Sequence, residues 1–352
     1  MRLFTVGPVM MYPDTLERSG KQLPYFRTDD FSRIMLDSER VLKRLLDADD
    51  DCKVAFLTAS GTGAMEAAVS CLLTPSDKAL VINGGGFGRR FTEICDVHDI
   101  PYDQIALSTG ETFTKEHLEE FNGMGYTALL VNLDETSTGQ LYDIALLSEF
   151  CKANGMYLIV DAISAFLADE ISMSKYGIDA LIISSQKALA LEPGISMVVL
   201  SPRAYSERAI TIKSPTYYLD LKHHILDQER GQTPFTPAVG TLLCLNDMLH
   251  MVDDIGIDEK IRRTRTLAEY FRQCAMDMGL RIPTYPLSNA VTPILFDGDA
   301  MEVYKRLNDG YGITVTPSGG ELKAHMLRVG HIGNLDKTDY DVLISALKEI
   351  LQ

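Results

Sequence analysis

The sequence has few basic residues for its length. Its 33 lysines and arginines are outnumbered by 49 aspartates and glutamates, so the formal net charge is −16. This balance, and the absence of basic stretches interleaved with aromatics, argues against nucleic acid and anionic membranes as partners. No apolar run approaches the roughly 20 residues of a membrane span, and the N-terminus lacks a signal-peptide core. We therefore expect a cytoplasmic protein that acts on small molecules.

Paired cysteines are also missing. The six cysteines, at 52, 71, 95, 151, 244 and 274, are scattered, and no two have the spacing of metal ligands or of a redox motif. They predict buried thiols of a cytosolic protein, and we expect no metal. With 46% hydrophobic and 23% charged residues, the composition is that of an ordinary globular protein, and 352 residues allow one to three domains.

Strand-like and helix-like segments alternate through the first two thirds of the chain. This alternation predicts an α/β domain with a mostly parallel sheet between helices, which we assign to residues 16–240. After residue 240, two helical stretches are followed by short strands interleaved with helices. We predict a smaller α+β domain from residues 241–352, with residues 1–15 packing onto it as an extended arm.

Two apolar strands each end on a charged residue. Tyr157–Val160 leads to Asp161, and Ala180–Ser185 leads to Lys187. A lone lysine of this kind is more often a solvated loop residue, but the nearby carboxylate changes that assessment. In open α/β sheets ligands bind at the carboxyl ends of the strands. A lysine and a carboxylate there suggest a Schiff-base lysine and a partner for a pyridinium nitrogen, as pyridoxal 5′-phosphate requires.

Two glycine-containing turns lie between a strand and a helix. Ser60-Gly61-Thr62-Gly63 offers free backbone N–H groups and two hydroxyls, which suit a phosphate, although an N-cap turn would look the same. Gly84–Gly88 fails the dinucleotide fingerprint because Arg89 stands where the third glycine should be. Phe87 could cover a flat ring or could simply pack in the core.

Two further motifs are ambiguous by themselves. Glu135-Thr-Ser-Thr-Gly139 follows a strand and could hydrogen-bond a phenolic oxygen or be only a turn. Arg328 stands inside an apolar strand, where a buried guanidinium needs an anionic partner. That partner could be a substrate carboxylate or, about as readily, an internal salt bridge.

Taken together, the motifs resemble the class V aminotransferases of the fold-type I pyridoxal-phosphate enzymes. Within that class they are similar to the alanine–glyoxylate and serine–pyruvate aminotransferases and to 2-aminoethylphosphonate–pyruvate transaminase. The likeness covers nearly the whole chain. Each motif is weak alone, but the order of the motifs is specific. The matching segments are Thr5–Pro8, Ser60–Glu66, Asn83–Gly88, Glu135–Gly139, Val160–Ser164, Ser185–Leu189, Thr233–Pro237 and Leu327–His331.

The resemblance implies a seven-stranded type of sheet and a role for each matching residue. Lys187 would form the Schiff base, Asp161 would pair with the pyridinium nitrogen, and Arg328 would bind the acid group of the substrate. The other cofactor contacts implied are Phe87 and Ile163 on the two ring faces, Ser60, Gly61, Thr62 and Gln186 at the phosphate, and Ser137, rather than Thr138, near the phenolic oxygen. Thr236 would reach the phosphate in the other subunit, which implies a homodimer with sites at the interface.

The resemblance therefore predicts a ping-pong transaminase that moves an amino group from alanine or serine to glyoxylate or pyruvate. Gln186 favours this branch over the phosphonate branch, which commonly has asparagine there. Substrate choice stays open because the chain reads Leu191–Gly194 where relatives often have Gly-Pro-Pro-Gly, and Phe166–Glu170 where many have a Gly-Gly pair. A cysteine desulfurase would need a loop cysteine late in the chain, but the last one, Cys274, falls in a predicted helix. A non-catalytic relative would be expected to lose the lysine or its carboxylate.

Overall fold

The computed structural model describes residues 1–352. In chain order the strands are β1 Arg2–Phe4, β2 Lys53–Leu57, β3 Ala79–Asn83, β4 Tyr102–Ala106, β5 Ala128–Asn132, β6 Asp134–Glu135, β7 Gln140–Leu141, β8 Tyr157–Asp161, β9 Ala180–Ser184, β10 Ser196–Leu200, β11 Val291–Leu295, β12 Ile313–Pro317 and β13 Met326–Gly330.

The helices are α1 Pro13–Ser19, α2 Asp29–Leu45, α3 Gly61–Leu72, α4 Gly86–Val97, α5 Glu116–Glu119, α6 Ile144–Asn154, α7 Met173–Tyr176, α8 Pro202–Ala204, α9 Leu221–Gln228, α10 Val239–Ile255, α11 Ile257–Asp277, α12 Ala300–Tyr311 and α13 Lys337–Leu351. A π-helical turn at Tyr205–Ala209 and a 3-10 turn at Gly320–Ala324 complete the elements.

The central sheet has seven strands in the order β2-β10-β9-β8-β5-β3-β4. All neighbouring pairs are parallel except those of β10, which runs antiparallel to both β2 and β9. Because helices cover both faces, strands such as β5, β9 and β10 are apolar along nearly their whole length and fully buried. The predicted α/β class with a mostly parallel sheet is confirmed.

The second sheet has four strands in the order β1-β12-β13-β11. Strand β1 pairs in parallel with β12, and Arg2 lies opposite Ile313. Residues 1–15 do pack onto this sheet through β1, but the prediction that they form only an extended arm is wrong, since the segment contains β1 and the start of α1. A three-residue edge strand is too short to show an alternating pattern, so only its partner β12 defines it.

The helix α10 packs against α2 and adds Leu242, Leu245 and Leu249 to the largest hydrophobic core, beside the central sheet. The predicted boundary at residue 240 stays a prediction, but α10 lies on the central-sheet side of the structure. No helix is long and apolar enough to cross a membrane. The predicted cytoplasmic location stays a prediction.

The sheet register brings the predicted site residues to one edge. Asn132, at the end of β5, lies opposite Asp161, at the end of β8, and Asp161 lies opposite Ile182 of β9. Lys187 follows β9 by three residues. The carboxyl ends of these parallel strands therefore present the lysine and the aspartate at the same edge of the sheet.

Candidate active site

Lys187 is a buried lysine with a main-chain partner from the other end of the chain. Its side chain is only 9% exposed, and its ammonium group donates to the backbone carbonyl of Val6. Burial lowers the pKa of Lys187 to about 8, although the carboxyls of Asp134 and Asp161 oppose this effect. A Cβ atom on Gly7 would lie 2.7 Å from Lys187 Cδ, so only glycine lets the backbone approach the lysine so closely.

Asp161 is buried beside the lysine. Its Oδ1 accepts a hydrogen bond from the backbone N–H of Ile163 at 2.8 Å, which orients the carboxylate. Burial raises the pKa of Asp161 to about 6, while that N–H and the positive charge of Lys187 act in the opposite direction. Lys187 and Asp161 therefore provide the amine and the carboxylate expected of a Schiff-base lysine and its pyridinium partner.

The ring of Phe87 faces the lysine. Its centroid lies 6.0 Å from Lys187 Nζ. The backbone N–H groups of Phe87 and Gly88 donate to the carboxylate of Glu135 at 3.2 and 2.9 Å. Glu135 is fully buried and accepts from the first N–H groups of α4, so it holds Phe87 in place.

The start of α3 forms a possible anion site. Ser60 is the N-cap residue, and its hydroxyl accepts from Gly63 N–H at 3.4 Å. A Cβ atom on Gly61 would lie 2.4 Å from Ile163 Cδ1, so the glycine lets Ile163 pack tightly against the helix start. The hydroxyl of Thr62 accepts from Arg90 Nη1 at 3.0 Å. On the lysine side, Gln186 Oε1 accepts from the hydroxyl of Ser184 at 2.6 Å.

Ser137 is engaged in holding the glycine loop. Its hydroxyl accepts from Gly86 N–H at 2.9 Å and donates to Glu135. A contact with a phenolic oxygen would require this hydroxyl to redirect its proton, so the role expected for Ser137 stays a prediction. The alternative residue Thr138 is also engaged, because its hydroxyl donates to the backbone carbonyl of Glu135 at 3.3 Å.

Arg328 has no carboxylate partner. Its Nη1 and Nη2 donate to the backbone carbonyls of Thr136 and Pro317, both at 2.8 Å, and its buried Nε has no partner. No carboxylate oxygen lies within 4.0 Å of a guanidinium nitrogen of Arg328, the limit for an ion pair. The interpretation of this residue as part of an internal salt bridge is therefore wrong. The carbonyls orient the guanidinium, and the carboxyls of Glu135 and Asp134 act on its charge from beyond ion-pair distance.

Thr236 is exposed on the surface of the chain. Next to it, the ring of Phe235 stacks on Tyr218 with centroids 4.9 Å apart and contacts Tyr217, which is 76% exposed. Within one chain, Thr236 is therefore exposed beside an aromatic surface.

Sequence reasoning missed three charged residues at the site: Asp134, Arg90 and, in its capping role, Glu135. Both carboxyl oxygens of Asp134 are buried without a hydrogen-bond partner, and burial raises its pKa to about 8. The available signal was the Asp134–Glu135 pair directly after an apolar strand, an unusual place for two acids. No pattern in the sequence identified Arg90.

Comparisons with known proteins agree with this geometry. Residues 24–322 match the family model of class-V aminotransferases. The chain is 30% identical to a protein from Synechococcus sp. named soluble hydrogenase, small subunit, over 99% of this chain and 92% of that protein. The solved aspartate aminotransferase of subgroup IV from Thermus thermophilus has a TM-score of 0.92 at 28% identity, covering 100% of this chain and 99% of that one. An alanine–glyoxylate aminotransferase from Nostoc sp. has a TM-score of 0.91 at 26% identity, covering 99% and 95%.

The chain belongs to the class-V aminotransferase family. It has the fold of the fold-type I enzymes and is a pyridoxal-phosphate-dependent transaminase. The residues present fit this cofactor. A buried lysine with a lowered pKa lies near a buried carboxylate, and the adjacent helix start is built around Gly61, where a side chain would collide with Ile163.

Proposed function

We propose that this transaminase moves an amino group from alanine or serine to glyoxylate or pyruvate. The observation that carries the proposal is Arg328, a half-buried guanidinium without an ion-paired carboxylate, whose charge lowers the pKa of Lys187 and so acts at the same site. The other charges that act on Arg328 are the carboxyls of Glu135 and Asp134. A substrate with one acid group would pair with the arginine, whereas a second acid group would meet the carboxyl groups of Glu135 and Asp134, which offer it no positive charge.

In this proposal Lys187 is the group that moves protons. When bound, pyridoxal phosphate supplies a carbonyl that exchanges between the lysine and the substrate amine, and a ring that accepts electron density from the substrate Cα. Lys187 Nζ would accept the proton from the substrate Cα and hold it until it is returned during transfer of the amino group. A pKa of about 8 leaves a useful fraction of the amine neutral near physiological pH. The carbonyl of Val6 is placed to orient that amine between the two transfers.

The remaining site residues would hold and shield the reacting groups. Asp161 would keep a proton on the ring nitrogen, with its carboxylate oriented by Ile163 N–H. Phe87 and the side chain of Ile163 would cover the two faces of the ring and exclude water. Ser60, Gly61, Thr62 and Gln186 would hold the phosphate, and Arg328 would bind the carboxylate of donor and acceptor alike. Because one site serves both substrates in turn, the kinetics would be ping-pong.

We also propose that the active form is a homodimer. Thr236 is exposed and lies beside the aromatic surface of Tyr217, Tyr218 and Phe235. Aromatic residues are enriched at interfaces between subunits, and a second copy packed here would bring Thr236 toward the partner's phosphate site. Light scattering on the purified protein would show a dimer, and Tyr217→Asp would increase the monomer fraction and weaken cofactor binding together. A monomeric protein with full cofactor affinity would contradict this arrangement.

The test of substrate class is a single half-reaction. The cofactor-loaded protein is mixed separately with L-alanine, L-serine, L-aspartate and 2-aminoethylphosphonate, and conversion to the amino form of the cofactor is followed by absorbance. Fast conversion by alanine or serine supports the proposal. Conversion by aspartate alone would show that the site accepts a second acid group, and conversion by the phosphonate alone would assign the protein to the neighbouring branch.

A further inference from the structure

Arg90 is a cation at the site that has no ion pair. It lies on α4, one turn after Phe87, and its Nη1 donates to Thr62 at 3.0 Å. Its neighbour Arg89 forms a surface ion pair with Glu93 at 3.6 Å, but no carboxylate lies within 4.0 Å of Arg90. A half-buried guanidinium held by one hydroxyl has N–H donors and a full charge still available.

The guanidinium lies where the ring site meets the start of α3. Its Cζ is 4.8 Å from the centroid of the Phe87 ring, and Lys187 Nζ is 6.0 Å from the same centroid. Its hydrogen-bond partner Thr62 is in the first turn of α3, where backbone N–H groups are free of helical partners. The charge of Arg90 also lowers the pKa of both Asp161 and Lys187, so it is felt inside the site.

We propose that Arg90 is a phosphate-binding residue, which donates charge-assisted hydrogen bonds to the phosphate of the cofactor at the start of α3. This inference rests on the assignment of the protein as a pyridoxal-phosphate enzyme, and it adds to the phosphate contacts of Ser60, Gly61 and Thr62. Backbone N–H groups and hydroxyls alone leave the charge of a phosphate dianion largely uncompensated, whereas a guanidinium supplies a full positive charge and a geometry that suits phosphate oxygens. Thr62 and the Phe87 ring orient the guanidinium before the phosphate arrives.

The test separates binding of the phosphate from binding of the ring. Apoprotein is titrated with pyridoxal phosphate and, separately, with pyridoxal, which lacks the phosphate, and both are followed by absorbance of the lysine-bound form. In a third arm, the protection of the apoprotein by inorganic phosphate is measured as a shift of its melting temperature. Arg90→Gln is compared with Arg89→Gln, a matched control that removes the same charge from the adjacent, exposed position.

We expect Arg90→Gln to lower the affinity for pyridoxal phosphate by about 10- to 100-fold, as for loss of a charge-assisted hydrogen bond. The affinity for pyridoxal should stay within about twofold of wild type, and inorganic phosphate should no longer raise the melting temperature. Arg89→Gln should leave all three measurements close to wild type. Arg90→Lys, which keeps the charge but not the fork of donors, should recover part of the affinity and serves if the glutamine variant does not fold.

An equal loss of affinity for pyridoxal phosphate and for pyridoxal would overturn the proposal, since it would show that Arg90 only supports Phe87 and Thr62. Unchanged binding of both ligands would overturn it as well. These outcomes are distinct from failure of the proposed function. Cofactor affinity is measured without any amino donor, so a wrong substrate assignment would leave it unaffected.

Discussion

Asp134→Asn should make the protein more stable, and increasingly so as the pH rises. Asp134 is buried, and no donor lies in good hydrogen-bond geometry with its carboxyl oxygens. Burial raises its pKa from 3.8 to about 8, and the carboxyls of Asp169 and Glu135 add to this effect. The Ser164 hydroxyl and the charge of Lys187 oppose it. The folded protein therefore binds a proton that the unfolded chain releases between about pH 4 and pH 8, and stability is lost as the pH rises through this window. Asparagine has similar shape and carries no ionisable group, so the variant avoids this loss.

The size of the effect follows from the shift. The raised pKa of Asp134 corresponds to several kcal/mol at pH 8, and with structural relaxation around a buried ion we expect about 3 to 5 kcal/mol. An entropy of unfolding of about 2.1 cal/mol/K per residue then predicts a rise in melting temperature of roughly 4 to 7 °C at pH 8. Near pH 4 both side chains are neutral, and the two proteins should melt at nearly the same temperature.

The assay is thermal unfolding followed by circular dichroism from pH 4 to pH 8. Both proteins are freed of cofactor, because cofactor bound to the folded state would add its own stabilisation. Asp51→Asn is the matched control, since Asp51 is exposed and its replacement should shift the midpoint by less than about 1 °C. A difference between Asp134→Asn and wild type that stays constant with pH, or that falls toward pH 8, would refute the assignment of Asp134 as an uncompensated buried acid.

Three further substitutions test the site and the backbone around it. Lys187→Ala should abolish turnover while still binding pyridoxal phosphate without a covalent bond, and retained transamination would remove the lysine from the mechanism. Arg328→Ala should raise the KM for carboxylate substrates by about 100-fold, as for loss of a charge-assisted contact, and an unchanged KM would place the acid group elsewhere. Ala190 has a φ of +53° and a buried methyl group, so Ala190→Gly should relieve about 1 kcal/mol of backbone strain and lose about as much packing. The free energy of unfolding in denaturant should therefore change by less than about 1 kcal/mol, and a loss of more than about 2 kcal/mol would show that the left-handed backbone is not strained there.

The structure shows an unusual backbone at or beside both departures from the family pattern. Leu167, within Phe166–Glu170, has a φ of +63°, and Ala190, directly before Leu191–Gly194, also has a positive φ. Both side chains are fully buried in the largest core, so packing maintains a backbone conformation that is unfavourable for these residues. The sequence marked both segments as unusual, but the conformation could be read only from the fold.

Much of the architecture was predictable because local patterns of apolar and capping residues specify it. Buried strands such as Ala128–Asn132 and helices such as Ile144–Asn154 show their limits in the sequence, since a central parallel strand must be apolar throughout and a helix needs a cap and a stop. The strand Tyr102–Ala106 escaped prediction because it lies at the edge of the sheet, where only Ile105 is buried. The hairpin of Asp134–Glu135 with Gln140–Leu141 was missed because two-residue strands carry no periodicity.

The sequence by itself determined the class of the protein and its central pair. Lys187 and Asp161 each follow an apolar strand, and strand direction alone sends both to the carboxyl edge of a parallel sheet. Only the tertiary structure decided how these groups are tuned, because the partners come from distant parts of the chain. The carbonyl of Val6 meets a lysine 181 residues away, and Arg90 finds Thr62 and no carboxylate. Burial and pairing are properties of the packed three-dimensional neighbourhood, and no one-dimensional pattern specifies which charges are left without partners.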